Sequence, residues 1–279
     1  MVYDCFVFFN ELDLLEIRLN ELNDVVDKFV LVEATRTFQK KEKPLHFEQN
    51  KARFAPFLDK IIHIVVDQYP GFFAKFRVPT TWDYENYQRE QIKQGLVNCQ
   101  PNDVVIISDI DEIPHPAKVA AYKDTSGIKV FEQRLFFYYL NGLCTYYDTG
   151  DKPRIAQPNK NGLGYWRGTV MCHYKALKTV KKARLWREFE NAHTTVIEDG
   201  GWHFSYLGGT QKIIQKLEAY AHAEFNASYY KDEKRVEEII SKGKDLFDTN
   251  TSFKFIDLDD TMPQYIQSNP NKYPHLIKK

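Results

Sequence analysis

Four short, mostly apolar runs divide the first 110 residues: 3–9 (Tyr-Asp-Cys-Phe-Val-Phe-Phe), 27–34, 60–66 and 103–108. Between the first two, Leu12, Leu15, Leu19 and Leu22 recur at helical spacing. Asn10 is the expected cap of that helix, with Asp13 three residues on. Residues 81–98 read as a second long helix, capped by Thr81 or Asp83. The 103–108 run (Asp-Val-Val-Ile-Ile-Ser) is short and apolar enough to be a central strand. Strands alternating with helices predict an α/β chain, with a mostly parallel central sheet flanked by helices. The second half changes character. Residues 128–140, 164–174 and 194–197 read as strands, 210–223 and 232–242 as helices, and 141–168 as a structured loop rich in Gly, Pro, Asn and Tyr. No internal repeat or low-complexity linker divides the chain, so one domain with two halves is expected.

Charge excludes some functions. The 279 residues carry 38 basic and 38 acidic side chains, so no global field grips nucleic acid or anionic lipid. Residues 1–10 do not read as a secretory signal, because an acid stands at Asp4 and no basic start precedes it. The longest uncharged apolar stretch, 135–147, is short of the ~18–20 residues that span a bilayer. The chain is expected to be soluble. Cys5, Cys99, Cys144 and Cys172 are scattered and read as free thiols. Aromatic residues make up 15% of the chain, enough to serve two purposes. Phe6, Phe8 and Phe29 read as core. Tyr138, Tyr146, Tyr147, Tyr165, Trp166 and Trp202 fall in the loop-rich half, where stacking on sugar rings is expected.

The densest chemistry follows the fourth strand: Asp109-Ile110-Asp111-Glu112-Ile113-Pro114. Ligands of open α/β sheets bind beyond the carboxyl ends of strands. Residues two apart in extended backbone face the same way, so Asp109 and Asp111 can address one ligand. Two hard carboxylates suit Mg²⁺ or Mn²⁺ beside a substrate diphosphate. Like charges this close repel, which argues against an idle turn.

A second cluster runs Gly200-Gly201-Trp202-His203-Phe204-Ser205, then Gly208-Gly209-Thr210. His203 could supply a third metal ligand through a neutral imidazole nitrogen. Lys212 lies in the first turn of a helix, where a bound anion would balance it. Thinner candidates for contacts to a nucleotide or sugar are Glu33 at the end of the second strand, Arg89 on the helix before the acidic loop, Arg167, and Trp202. Asp199, with Glu198 second, stands close enough in sequence to the glycine pair to act as a general base.

Taken together these segments resemble family-17 glycosyltransferases. The likeness runs through Phe9-Asn10-Glu11, Asp13-Leu14-Leu15, Asp24-Val25-Val26-Asp27-Lys28-Phe29-Val30 and Val32-Glu33. It continues through the acidic loop with its Glu-Ile-Pro extension, Gly201-Trp202-His203 with Ser205, and Tyr273-Pro274-His275-Leu276. The resemblance implies an inverting transferase of the GT-A fold, using UDP-N-acetylglucosamine and a divalent metal. Asp109 and Asp111 would hold metal and donor, with His203 as a further ligand. Residues 1–115 would form the nucleotide-sugar half and 116–279 the acceptor half with the C-terminal helices. The partners would be a nucleotide sugar and a glycan acceptor. Location would be cytoplasmic for the chain as it stands, or the Golgi lumen if a membrane anchor precedes it. Two other readings compete. A haloacid-dehalogenase-type phosphohydrolase would use Asp109 as nucleophile. A non-catalytic glycan-binding module would use the aromatic loops alone.

Overall fold

The computed structural model describes residues 1–69, 79–148, 150, 156–188 and 193–278, with only the backbone described over 156–160. The expected strands appear as β1 (Val2–Phe8), β2 (Lys28–Ala34), β3 (Ile61–Val66) and β4 (Val104–Asp109). They pair in parallel, in the order β4-β1-β2-β3. Burial on both faces explains why β1, β2 and β4 read as unbroken apolar runs.

The sheet then continues past β4 into the second half, where the pairing is mixed. The later strands are β5 (Glu112–Pro114), β6 (Ile128–Phe137), β7 (Gly142–Tyr146), β8 (Ala156–Lys160), β9 (Leu163–His173), β10 (Thr194–Ile197), β11 (Gly201–Ser205) and β12 (Ser252–Phe255). β9 lies antiparallel between β4 and β6, β7 and β12 extend the sheet, and β10 and β11 run parallel to β6. The fold is thus α/β with a mixed sheet whose first half is wholly parallel.

Several local expectations are corrected. The 141–168 stretch is not one loop: it holds β7, β8 and the start of β9, and part of it lies outside the described residues. The Gly-Trp-His cluster, which the sequence left without an assigned element, is a strand. Gly201 makes this possible, with φ at 128° and no Cβ, since a Cβ there would come 2.2 Å from the Ile113 carbonyl oxygen. Asn10 does not cap α1 (Leu12–Leu22). Glu11 stands at that position, and its carboxylate accepts from the N–H groups of Phe9 and Asn10. The 81–98 helix is broken at Gln91. Its main part, α2 (Thr81–Glu90), is capped by Thr80 in a reciprocal capping box with Asp83.

Three packed clusters cover the sheet. One face carries α1 and the Gln264–Ser268 helix over Phe6, Phe29, Phe136 and Trp202. On the opposite face, α2 and α3 (Val180–Leu185) cover Val30, Val105 and Ile107. Farther along that face, α4 (Gly209–Leu217) and α5 (Glu233–Ser241) cover Leu135, Phe137 and Tyr138. Half of the expected aromatic platform is buried. Tyr138, Tyr165 and Trp202 are buried, whereas Tyr146 is exposed.

Candidate active site

The acidic loop sits where β4 ends, between the α2/α3 cover and the α4 cover. Its backbone is fixed from the α1 side by Arg18. This guanidinium has no solvent exposure and pairs through two bonds, of 2.7 and 2.8 Å, with the equally buried Asp4 on β1. It also donates to the carbonyls of Asp109 (2.9 Å), Ile110 (3.3 Å) and Glu112 (2.9 Å), and to the Ser108 hydroxyl (2.5 Å). Glu112 closes the loop from within, accepting from the Asp109 N–H at 2.7 Å. The Phe204 N–H on β11 donates to the Asp111 carbonyl at 2.9 Å.

The side chains above this base form one ionic cluster. Asp109 meets Arg89 at 2.5 Å and Arg184 at 2.9 Å, one through each oxygen. Glu112 accepts from Arg184 (2.6 Å), Trp166 Nε1 (2.9 Å) and Arg187 (3.4 Å). Glu112 fits because residue 168 is glycine: a Cβ there would lie 2.7 Å from its carboxyl carbon. Asp111 bonds Lys216 on α4 at 2.8 Å and stands 3.7 Å from His203 Nε2. The His203 ring lies 5.3 Å from Trp166, and its Nδ1 is buried with no hydrogen-bond partner.

These contacts set the charge states. Burial pushes the Asp109 carboxyl up, but Arg184 and Arg89 overrule it and hold it well below the usual carboxylate range. Burial likewise opposes ionisation of Asp111, and Lys216, then His203, reverse that. Glu112 is also lowered, against burial, chiefly by Arg184. A lowered folded-state value means stability present above the unfolded pKa, about 4, and lost as pH falls through the folded values. The thermal midpoint is therefore expected to hold at neutral pH and drop steeply below pH ~4. Calorimetry from pH 7 to 2 checks this, and Asp111→Asn should flatten the acid limb.

Of the side chains expected from the sequence, the structure brings together Asp109, Asp111, His203 and Arg89. Lys212 lies one turn before Lys216 on α4, lining an open cavity of about 310 Å³ with Gln211, Ile214, Gln215 and Glu218. The others face elsewhere. Glu33 is fully buried, accepts from the Phe47 N–H, and pairs with Lys43 and His63. Trp202 donates to the Thr261 carbonyl and stacks on His115.

Strand register explains the rest. His203 pairs with Leu135 and Gln133 with Trp166, so His203 and Trp166 share one face. Arg134 pairs with Tyr165 and with Trp202, on the opposite face. Arg167 lies there too, 3.6 Å from Glu132, and Asp199 is 3.3 Å from Arg134. Glu198 is exposed beside it. Among the described residues, no group of three or more His, Cys, Asp or Glu side chains is placed to hold a metal ion.

Sequence reasoning missed Arg18, Arg184, Arg187, Lys216 and the structural role of Glu112. A buried arginine inside an otherwise apolar helix face was the available signal for Arg18. Arg184, Arg187 and Lys216 stand among many surface-like basic residues and gave none.

Comparison with known proteins decides the family. The model of glycosyltransferase family 17 matches residues 1–143 and 160–278, nearly the whole chain and all of the loop just described. The chain belongs to glycosyltransferase family 17. Within the family it is similar to the β-1,4-mannosyl-glycoprotein 4-β-N-acetylglucosaminyltransferases of Homo sapiens and Rattus norvegicus. Each is 34% identical over 111 residues, 38% of this chain. The match spans 20% of the length of those relatives. Among solved structures, the family-17 chain is similar to HddC from Yersinia pseudotuberculosis (10% identity, TM-score 0.35, 71% of this chain and 90% of that one). It is also similar to the inositol-1-phosphate CTP transferase from T. maritima (11% identity, TM-score 0.34, 99% and 98%). No helix among the described residues is long and apolar enough to cross a membrane.

Proposed function

We propose that this family-17 chain transfers N-acetylglucosamine from UDP-N-acetylglucosamine to a hydroxyl of a glycan, by a single inverting displacement at the end of β4. The proposal keeps one GT-A-type catalytic unit, with residues 1–115 mainly serving the donor and 116–279 the acceptor. The observation that carries it is the convergence of Arg89, Arg184, Arg187 and Lys216 on the acidic loop of a glycosyltransferase-family chain. A departing diphosphate gathers negative charge, and preorganised cations in a water-poor site stabilise it at no cost of reorganisation.

The divalent ion implied by the family resemblance, Mn²⁺ or Mg²⁺, does not fit these side chains as they stand. Both oxygens of Asp109 face guanidinium groups, and one oxygen of Asp111 faces an ammonium. Three of the four oxygens of the two carboxylates are already paired with cations, so no step is routed through a metal.

The acceptor-side base moves from Asp199 and Glu198 to His203. Asp199 is tied to Arg134 on the sheet face opposite Trp166, whereas His203 stands on the face of the cluster beside Asp111. General base catalysis contributes roughly 10²–10⁴-fold. His203→Asn is therefore expected to lower kcat by about 10²-fold, and Asp199→Asn by less than about threefold. A hundredfold loss in Asp199→Asn with wild-type behaviour of His203→Asn would return the role to Asp199.

The donor is tested by thermal shift with UDP-, GDP- and CMP-sugars, each with and without Mn²⁺. Stabilisation by UDP-sugars alone is expected, about 2.7 kcal/mol at a hundredfold excess over Kd. Equal stabilisation by all three nucleotides would contradict the donor assignment.

A further inference from the structure

The cations of the cluster are not equally satisfied. Arg89 has Glu85 at 2.8 Å as well as Asp109, Arg184 bridges Asp109 and Glu112, and Lys216 has Asp111. Arg187 differs. It follows α3 in the turn Trp186–Glu188, and its side chain is only 16% exposed. Among the described residues its carboxylate contact is the 3.4 Å approach to Glu112 Oε1, an oxygen that already accepts from Trp166 and Arg184. Its Nε is buried with no hydrogen-bond partner. The guanidinium carbon stands 5.6 Å from the Trp166 ring centroid, so one flank is closed by an aromatic face. Burial, and then Arg184, push its pKa down to about 10, the mark of a cation with too little negative charge around it.

A buried guanidinium with an idle N–H and a shared carboxylate is arranged for a further oxyanion. Its planar fork suits phosphate oxygens in a way an ammonium does not. We propose that Arg187, seconded by Arg184, is the contact for the diphosphate of the nucleotide-sugar donor. This rests on the transferase reading and adds to it the residue that grips the leaving group. It also gives the cluster a purpose in its unliganded form: the carboxylates hold the arginines in place until the phosphate oxygens arrive.

The test is calorimetric titration of UDP, inorganic pyrophosphate and uridine into the full chain with metal chelated, for the parent, Arg187→Gln and Arg187→Lys. Thermal midpoints verify folding. Arg187→Gln is expected to weaken UDP and pyrophosphate at least tenfold and to leave uridine unchanged. Arg187→Lys, which keeps the charge and loses the fork, should recover part of the loss and stands in if the glutamine variant fails to fold. UDP binding equal to the parent in both variants, or an equal loss for uridine, overturns the assignment. So does a parent chain that binds neither UDP nor pyrophosphate. Sugar transfer by the parent separates the two levels. Transfer with UDP affinity unchanged in Arg187→Gln removes the role of Arg187 and leaves the transferase reading. A tenfold loss of UDP affinity in a chain that transfers no sugar keeps the anion site and removes the transferase reading.

Discussion

Arg18→Met is expected to be the most destabilising of the substitutions considered, by about 3–5 kcal/mol, because it leaves the carboxylate of Asp4 buried and unpaired. At roughly 2–4 °C per kcal/mol for a chain near this size, the thermal midpoint should fall by about ten degrees. The same change removes the three carbonyl contacts that shape the acidic loop and the bond to Ser108. Displacing reactive groups by about 1 Å can cost on the order of 10²-fold in rate. Activity should therefore drop even well below the new midpoint, in kcat more than in KM. The double variant Asp4→Leu/Arg18→Met separates the two effects. It removes both buried charges and should recover much of the stability, as coupled neighbours do, without recovering activity. Full recovery of activity by the double variant would show that Arg18 serves stability alone.

Asp109→Asn is expected to abolish transfer to the limit of a typical assay, a loss of at least about 10²–10³-fold. Among the described residues, this carboxylate is the group that pairs with both Arg89 and Arg184 at the end of β4. Without its charge the two guanidinium groups repel, and the cationic array loses the spacing proposed to meet a diphosphate. Rates with a UDP-sugar donor, at temperatures where circular dichroism shows an unchanged fold, check this. A folded Asp109→Asn chain that works within threefold of the parent would place the reaction elsewhere.

Much of the fold could be read from the sequence because the first half follows simple rules. β1, β2 and β4 are buried on both faces, so their residues are apolar without alternation and stand out. The second half shows β6, β9 and β10 on the runs read as strands but hides others for physical reasons. β11 begins with a glycine at positive φ that lets the chain press against β5, and β7 starts at Gly142, so composition suggests turns where the backbone is extended. The acidic loop was legible because Asp109, Asp111 and Glu112 are adjacent in sequence. Of their counter-charges, Arg89 alone was singled out. Arg18, Arg89, Arg184 and Lys216 come from four helices separated by up to 105 residues from the acids they meet. Only the folded sheet brings them to one place. Residue-by-residue alternation on β9 and β11 was also invisible, and it decided that Trp166 and His203, not Arg167 and Trp202, face the cluster.

The central claim, sugar transfer at the β4 loop, is tested most directly by incubating the full chain with UDP-N-acetylglucosamine labelled in the sugar and a panel of free glycans, then separating the products by mass. The expected result is a glycan heavier by one N-acetylhexosamine, with UDP released in equal amount, and neither formed by Asp109→Asn. Release of inorganic phosphate from a simple phosphoester, with no label reaching any glycan from any nucleotide sugar, would contradict it.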